Sequence, residues 1–321
     1  MAKSEALASE ALASKALAPR GRPLECSGDL PHHDPNSGAA WARASSKGRD
    51  LMRPMTGRLA MLVIWLAGMI VPAAATAPCG GDFDAWLEGI KTEAAAQGVS
   101  QRTIQTALGG VTYDPTIIAR DHAQGVFRQT FEQFSGRMIP PRLAKATKLL
   151  KQYAPIFTRI EQQYGVPGPV IVAIWGLETD FGANSGKFPT IRALATLAYD
   201  CRRPDKFRPE VIAALQIVDR GDMNPADMHG AWAGEIGQTQ FLPSSYLKYA
   251  VDYDGSGHRD LIRNVPDVLA STANYLKGYG WQAGQPWGEG SANFDVLLQW
   301  NASKVYTKTV ASFAEQLAAT Q

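Results

Sequence analysis

The sequence predicts a mainly α protein. Apolar residues recur at helical spacing through most of residues 83–318, Gly and Pro punctuate them, and no sustained period-two alternation marks a strand. Phe83, Trp86, Leu87 and Ile90 share one face and predict a helix over 83–97, which Gly98 stops. Ser100 caps a short helix running to Leu108, its hydroxyl positioned to accept from a first-turn amide. Residues 119–134 and 141–163 read as longer helices. Pro155 should break the second, because proline lacks the donor and its ring crowds the carbonyl four residues back. Residues 169–179 follow a Gly/Pro turn and form an apolar helix, with Gly182 just beyond its end. Further helices are expected over 189–199, 209–220, 244–251, 266–278 and 303–318. Residues 280–290, GWQAGQPWGEG, read as a loop with room for a short hairpin.

Composition fits a globular chain, with 45% hydrophobic and 19% charged residues. The net charge of +2 arises in residues 1–54, which hold eight Lys/Arg against six Asp/Glu; the 24 basic and 24 acidic residues that remain cancel. A neutral remainder lacks the electrostatic footprint of a nucleic-acid binder.

Residues 59–71, LAMLVIWLAGMIV, are thirteen residues without a charge, preceded by Arg53 and Arg58 and followed by PAAATA. A membrane span needs about twenty apolar residues. The basic flank, short apolar run and small residues instead match a secretory signal over 55–77, cleaved after Ala75 or Ala77. Pro78 before Cys79 does not suit a lipobox, so no stable membrane anchor is expected. Residues 1–54 hold the tandem repeat SEALA-SEALA-SKALA and a Pro/Gly/Ser/Arg-rich stretch, a composition that cannot bury a core. They are either a disordered extension or translation assigned upstream of a true start at Met52 or Met55. The expected organisation is one domain over 78–321, with an N-terminal helical subdomain to about residue 163 and a core beyond it. Removing the leader discards Cys26 and leaves Cys79 and Cys201. Two buried thiols or one disulfide satisfy that count, and an oxidising compartment favours the disulfide.

Residues 171–182, IVAIWGLETDFG, place Glu178 at the end of an almost wholly apolar run. A polar group there costs several kcal/mol unless it is hydrogen-bonded or stays protonated. Burial disfavours the ionised form of a carboxyl, the device that keeps a general acid loaded near neutral pH. A Glu at a helix end also serves as a cap or ion-pair partner. Residues 234–246, GEIGQTQFLPSSY, gather amides, an aromatic ring and hydroxyls in a Gly-punctuated loop, the composition of a sugar-binding wall.

Five blocks run in order: YGVPGPVIVAIWGLETDFG, ALATLAYDCRR, DRGD, GQTQFLPSSYLKYAVDYDG and ASTANYLKGYGW. Together they resemble the lytic murein transglycosylase B family, from about Phe83 to the C-terminus and most weakly before Tyr164. The resemblance implies a lysozyme-like core and cleavage of the β-1,4 bond between N-acetylmuramic acid and N-acetylglucosamine in peptidoglycan strands. Glu178 would act as sole acid and base. It would protonate the glycosidic oxygen, then take the C6 hydroxyl proton as that oxygen closes onto C1 to give a 1,6-anhydro end. No metal or organic cofactor is implied. Carried over as substrate-binding are Gln240, Phe241, Arg202, Arg203 and Tyr275, with Trp300, Asn301 and Tyr306 as one cleft wall and Phe134 opposite. The two arginines would meet peptide carboxylates or form ordinary surface ion pairs. Asp180, two residues from Glu178, is expected to face elsewhere.

Two positions depart from the family's pattern: Ala231 stands where a small hydroxyl residue is usual, and Glu235 where a small residue is usual. Glu235 is expected to point to solvent. Were it to face Glu178, like-charge coupling would raise one pKa further; were it to face a water-sized gap, hydrolysis would become conceivable. The rival readings are thus a muramidase acting on the same bond and a catalytically silent peptidoglycan-binding protein.

Residues 252–260, DYDGSGHRD, match the start of an EF-hand loop, with Asp252, Asp254, Ser256, the His258 carbonyl and Asp260 as oxygen ligands. Arg263 stands where the full motif needs a bidentate Glu, and Asp267 is the substitute farther along. A weak structural calcium site and a plain Asp/Gly turn are both consistent with this run. Periplasmic export is the expected destination.

Overall fold

A computed structural model describes residues 79–123 and 129–320. The expected signal peptide and the segment before it lie outside the described residues. Thirteen α-helices account for nearly all the regular structure described. Phe188–Pro189 and His229–Gly230 form one short antiparallel pair.

The apolar helix Gly168–Thr179 is the axis of the fold, with all 12 residues buried. Lys304–Ala318, Pro140–Gln152, Ala154–Tyr164 and Val265–Gly278 pack against it. Burying each of Val170, Ile171, Val172 and Ile174, all 0% exposed, contributes roughly 1.5–3 kcal/mol. A helix apolar on every side is stable only when enclosed like this.

Most helix starts fall within a residue or so of the expected positions. The Ser100 hydroxyl accepts from Thr103 N at 3.2 Å and opens Gln101–Leu108. The expected break at Pro155 separates Pro140–Gln152 from Ala154–Tyr164. The single helix expected over 119–134 is corrected. Pro115–His122 ends there, and Phe131–Met138 begins afresh at a capping box between Thr130 and Gln133, while 124–128 lie outside the described residues. Pro204–Asp219 starts a turn earlier than expected, with Pro209 inside it.

Residues 280–290 form no strand pair. Their backbone groups bond to one side chain instead: Asn293 Oδ1 accepts from Gln282 N at 2.7 Å, and its amide donates to the Gln282 and Gln285 carbonyls. Asn293 belongs to Ala292–Trp300, a helix the sequence reading missed. Its signals were present in Ser291, which caps it, and in Phe294, Leu297 and Trp300 at helical spacing.

A disulfide joins Cys79 to Cys201 across 122 residues of chain. The expected pairing is therefore present, and it fastens the start of the described chain beside the helix Thr190–Tyr199.

Candidate active site

Glu178 occupies the last turn of the axial helix and is 1% exposed. Its Oε1 accepts from Trp300 Nε1 at 2.7 Å and from Tyr306 Oη at 2.8 Å. Both donors come from one junction: Trp300 ends Ala292–Trp300, and Ser303 caps Lys304–Ala318 by accepting from Tyr306 N at 3.3 Å. Asn301 is the link between them. Its side chain accepts from Ser303 N at 3.0 Å and its carbonyl from Thr307 Oγ1 at 2.9 Å. The sequence carries Trp300 and Tyr306 to Glu178 because two short helices meet at this capped corner.

The Tyr306 hydroxyl is pushed well above its ordinary pKa, first by burial and then by the charge of Glu178 and its hydrogen bond to it. It therefore stays protonated and donates across the physiological range. Tyr275 is shifted the same way, chiefly by burial and its tyrosine neighbours, with Glu178 contributing.

Phe241, Tyr275 and Trp300 pack edge to face, with ring centroids 5.7, 5.5 and 4.8 Å apart. Such pairing satisfies the ring quadrupoles while excluding water. The expectation of an open stacking wall is accordingly corrected. Phe241, Trp300 and Tyr306 are 1% exposed, Asn301 0% and Tyr275 6%, so they form the packed shell that holds Glu178. Phe134 is corrected further, since it is fully buried in the core on Phe131–Met138 rather than forming an opposite wall.

Gln240 has φ of 56°, unusual for a residue with a side chain, and its amide donates to the Gly237 and Ser185 carbonyls. A bridge between Ile236 and Phe241 closes this loop. The backbone on both sides of Glu235 is closely packed. A Cβ on Gly234 would lie 2.3 Å from Leu194, and one on Gly230 only 1.6 Å from the Glu235 carbonyl. Glu235 is 0% exposed, correcting the outward placement. Its charge acts on Arg203, whose pKa is lowered chiefly by burial against the opposing pull of Asp121 and, more weakly, Glu235. Ala231 is likewise buried.

Arg202 and Arg203 do not form surface pairs. Both guanidinium groups engage the carboxylate of Asp121, whose side chain is 2% exposed, and Arg202 also donates to the Asp121 carbonyl at 2.8 Å. They dock Pro115–His122 onto the core. Asp180 caps the axial helix with φ of 56° and pairs with Arg142 at 3.0 Å.

In the acidic loop, Asp252, Asp254 and Asp267 converge, each offering an oxygen within 4.8 Å of the others. Asp260 is corrected as a member. Its carboxylate accepts from Ile262 N and Arg263 N, both at 2.9 Å, and pairs with Arg263. Ser256 N donates to both Asp252 and Asp254, and the Ser256 hydroxyl lies 3.3 Å from the His258 carbonyl. Burial, followed by weaker contributions from Asp254 and Asp252, raises the Asp267 pKa even though Asp260 N and Tyr253 N donate to it. Three converging carboxylates, one of them buried, suit a divalent cation.

The Glu178 carboxyl, buried at a helix end and bonded by two neutral donors inside an aromatic shell, thus sits in a mainly α, lysozyme-like domain. The chain belongs to the Transglycosylase SLT domain family, which matches residues 82–291. It is 39% identical over 146 residues to the membrane-bound lytic murein transglycosylase B of Escherichia coli K12, an alignment spanning 45% of this chain and 40% of that protein. Among solved structures, SltB3 from Pseudomonas aeruginosa in complex with NAG-NAM-pentapeptide superposes with a TM-score of 0.71 at 32% identity, covering 74% of this chain and 80% of that one. The Escherichia coli lytic transglycosylase Slt35, solved with bulgecin A and with calcium, gives a TM-score of 0.66 at 26% identity over 78% of this chain and 99% of its own. Among the described residues, no helix is long and apolar enough to cross a membrane.

Proposed function

We propose that this protein is a lytic murein transglycosylase that cleaves the β-1,4 bond between N-acetylmuramic acid and N-acetylglucosamine and leaves a 1,6-anhydromuramoyl end. The observation carrying this reading is the paired donation of Trp300 and Tyr306 to one oxygen of a buried Glu178. Indole N–H is a donor only, so Oε1 is committed to accepting and the transferable proton belongs on Oε2. Protonated Glu178 gives that proton to the glycosidic oxygen as the C1–O bond breaks. The resulting carboxylate, held by the same donors, takes the proton of the C6 hydroxyl as its oxygen bonds to C1. The proton count closes without water, and one carboxyl suffices.

Family membership and the SltB3 complex with NAG-NAM-pentapeptide support peptidoglycan as the substrate. Gln240, Phe241, Tyr275, Trp300, Asn301 and Tyr306 define the walls of the acid's pocket, and Arg202, with a side chain 35% exposed, retains a face for substrate. A signal over 55–77 would deliver the mature chain to the periplasm, where its substrate lies.

Calcium fits the acidic loop as a structural ion. Asp252, Asp254 and Asp267 would hold it, and it would neutralise their mutual repulsion. Proton transfer by Glu178 does not pass through it.

Mass spectrometry of products from purified sacculi tests the reaction. Anhydro ends, one water lighter than hydrolysed ends, are expected; hydrated reducing ends alone would make the protein a muramidase.

A further inference from the structure

Gln238 belongs to the loop after Gly237, yet its contacts reach the axial helix. Its Oε1 accepts from Trp175 Nε1 at 2.9 Å, and its Nε2 donates to the Ile262 carbonyl at 2.8 Å. An indole can only donate and a carbonyl can only accept, so the amide is locked in one orientation. The Gln238 backbone is engaged as well. Its N–H donates to the Leu261 carbonyl at 2.8 Å, and its carbonyl accepts from Thr179 Oγ1. Trp175 and Thr179 bracket Glu178 on the last turn of the helix.

The chain after Glu178 needs restraint. Asp180, Phe181 and Gly182 have φ values of 56°, 60° and 81°, so three successive residues are left-handed and two of them carry side chains. Such backbone persists only where the surroundings over-determine it. Thr179 Oγ1 accepts from Gly182 N at 2.9 Å inside this turn. Gly182 also leaves room for Gln238, since a Cβ there would lie 2.3 Å from Gln238 Oε1.

We infer that Gln238 is a positioning residue for Glu178. By gripping Trp175 and Thr179 from the 261–262 segment, it holds the last turn of the helix so that the carboxyl meets Trp300 and Tyr306. It acts through the turn, with no requirement to touch the glycan. As a role in turnover, this rests on the proposed transglycosylase reading.

Gln238→Met keeps the length of the side chain and removes both amide bonds. Glycan-strand turnover by folded Gln238→Met is expected to fall roughly 10- to 100-fold in kcat, the scale of a reacting group misplaced by about an ångström, while KM stays near the wild-type value. A second readout needs no turnover. The Trp300 indole N–H resonance, assigned with Trp300→Phe, reports the Glu178 contact and should shift in Gln238→Met. Gln238→Glu, the alternative if the Met variant does not fold, keeps an acceptor for Trp175 but loses the donor to Ile262; an intermediate kcat and an intermediate shift are expected. Wild-type kcat with an unmoved Trp300 resonance in either folded variant overturns the inference, as does a loss confined to KM. If the wild-type protein cleaves no glycan, the proposed reaction fails, while the Trp300 resonance still decides the role of Gln238.

Discussion

Trp300 Nε1 lies 2.7 Å from Glu178 Oε1, joining residues 122 positions apart in the chain. The contact is possible because the helix Ala292–Trp300 ends at the acid and the next helix returns Tyr306 to the same oxygen. Burying a carboxyl among rings would be costly on its own; two donors to one oxygen offset part of that cost and fix its orientation.

Glu178→Gln keeps the shape and an acceptor oxygen for both donors but cannot exchange the proton. Turnover should fall by at least about 10²–10⁴-fold, because both steps use the same group. Binding of glycan strands, measured by calorimetry, should persist. Turnover near wild type would refute the assignment.

Tyr306→Phe removes one donor and leaves the ring in place. A hydrogen bond to a charged acceptor contributes about 1.5–3 kcal/mol, so kcat should drop roughly 10- to 100-fold. Thermal unfolding should change little by comparison, which separates a lost catalytic contact from a general loss of packing.

Asp121→Asn leaves Arg202 and Arg203 without their shared carboxylate. Breaking a buried pair costs about 3–5 kcal/mol, and the partial exposure of Arg202 places this variant at the lower end. Urea denaturation should show a lowered midpoint, with product identity unchanged. A variant as stable as wild type would remove the docking role of these arginines.

Cys79→Ser with Cys201→Ser opens the disulfide. Chain entropy predicts a loss of about 2–5 kcal/mol in stability, since the bond closes a long loop. Activity at low temperature should survive, because Glu178 is held by Trp300 and Tyr306 rather than by the disulfide. Free thiols found by alkylation of unreduced native protein would contradict the pairing.

Asp219 accepts from the Ser100 hydroxyl at 2.5 Å and the Thr103 hydroxyl at 2.7 Å, and these bonds lower its pKa below the ordinary 3.8. A depressed carboxyl pKa stabilises the fold above the unfolded-state value, and that contribution is lost as pH falls through the folded-state value. Asp219→Asn should therefore be less stable than wild type at pH 7, with the gap closing below 3.8. Denaturation curves at neutral and acid pH measure this; a gap constant with pH would show that the charge is not responsible.

Local sequence determined much of this protein. Ser100, Pro155 and the apolar run before Glu178 set helix boundaries through capping, a missing donor and the need for enclosure, all readable from a few neighbouring residues. The resemblance to a known family singled out Glu178 in one of the five blocks, and Trp300 and Tyr306 beyond them. Tertiary structure alone decided what those side chains do. Trp300, Tyr306 and Phe241 could have been an open sugar platform, but edge-to-face packing of Phe241 on Trp300 and the hydrogen bonds of Trp300 and Tyr306 to Glu178 made them the shell of that carboxyl. Arg203 could have faced substrate, but Asp121, far back in the chain, captured it together with one edge of Arg202. Glu235 looked like a surface charge until close approaches at Gly230 and Gly234 enclosed its backbone. Gln238 gave no local signal, because its partners Trp175 and Ile262 are separated from it by 63 and 24 residues. Propensity and capping act over a turn of chain, whereas the partners of a buried polar group are chosen only when distant elements close around it.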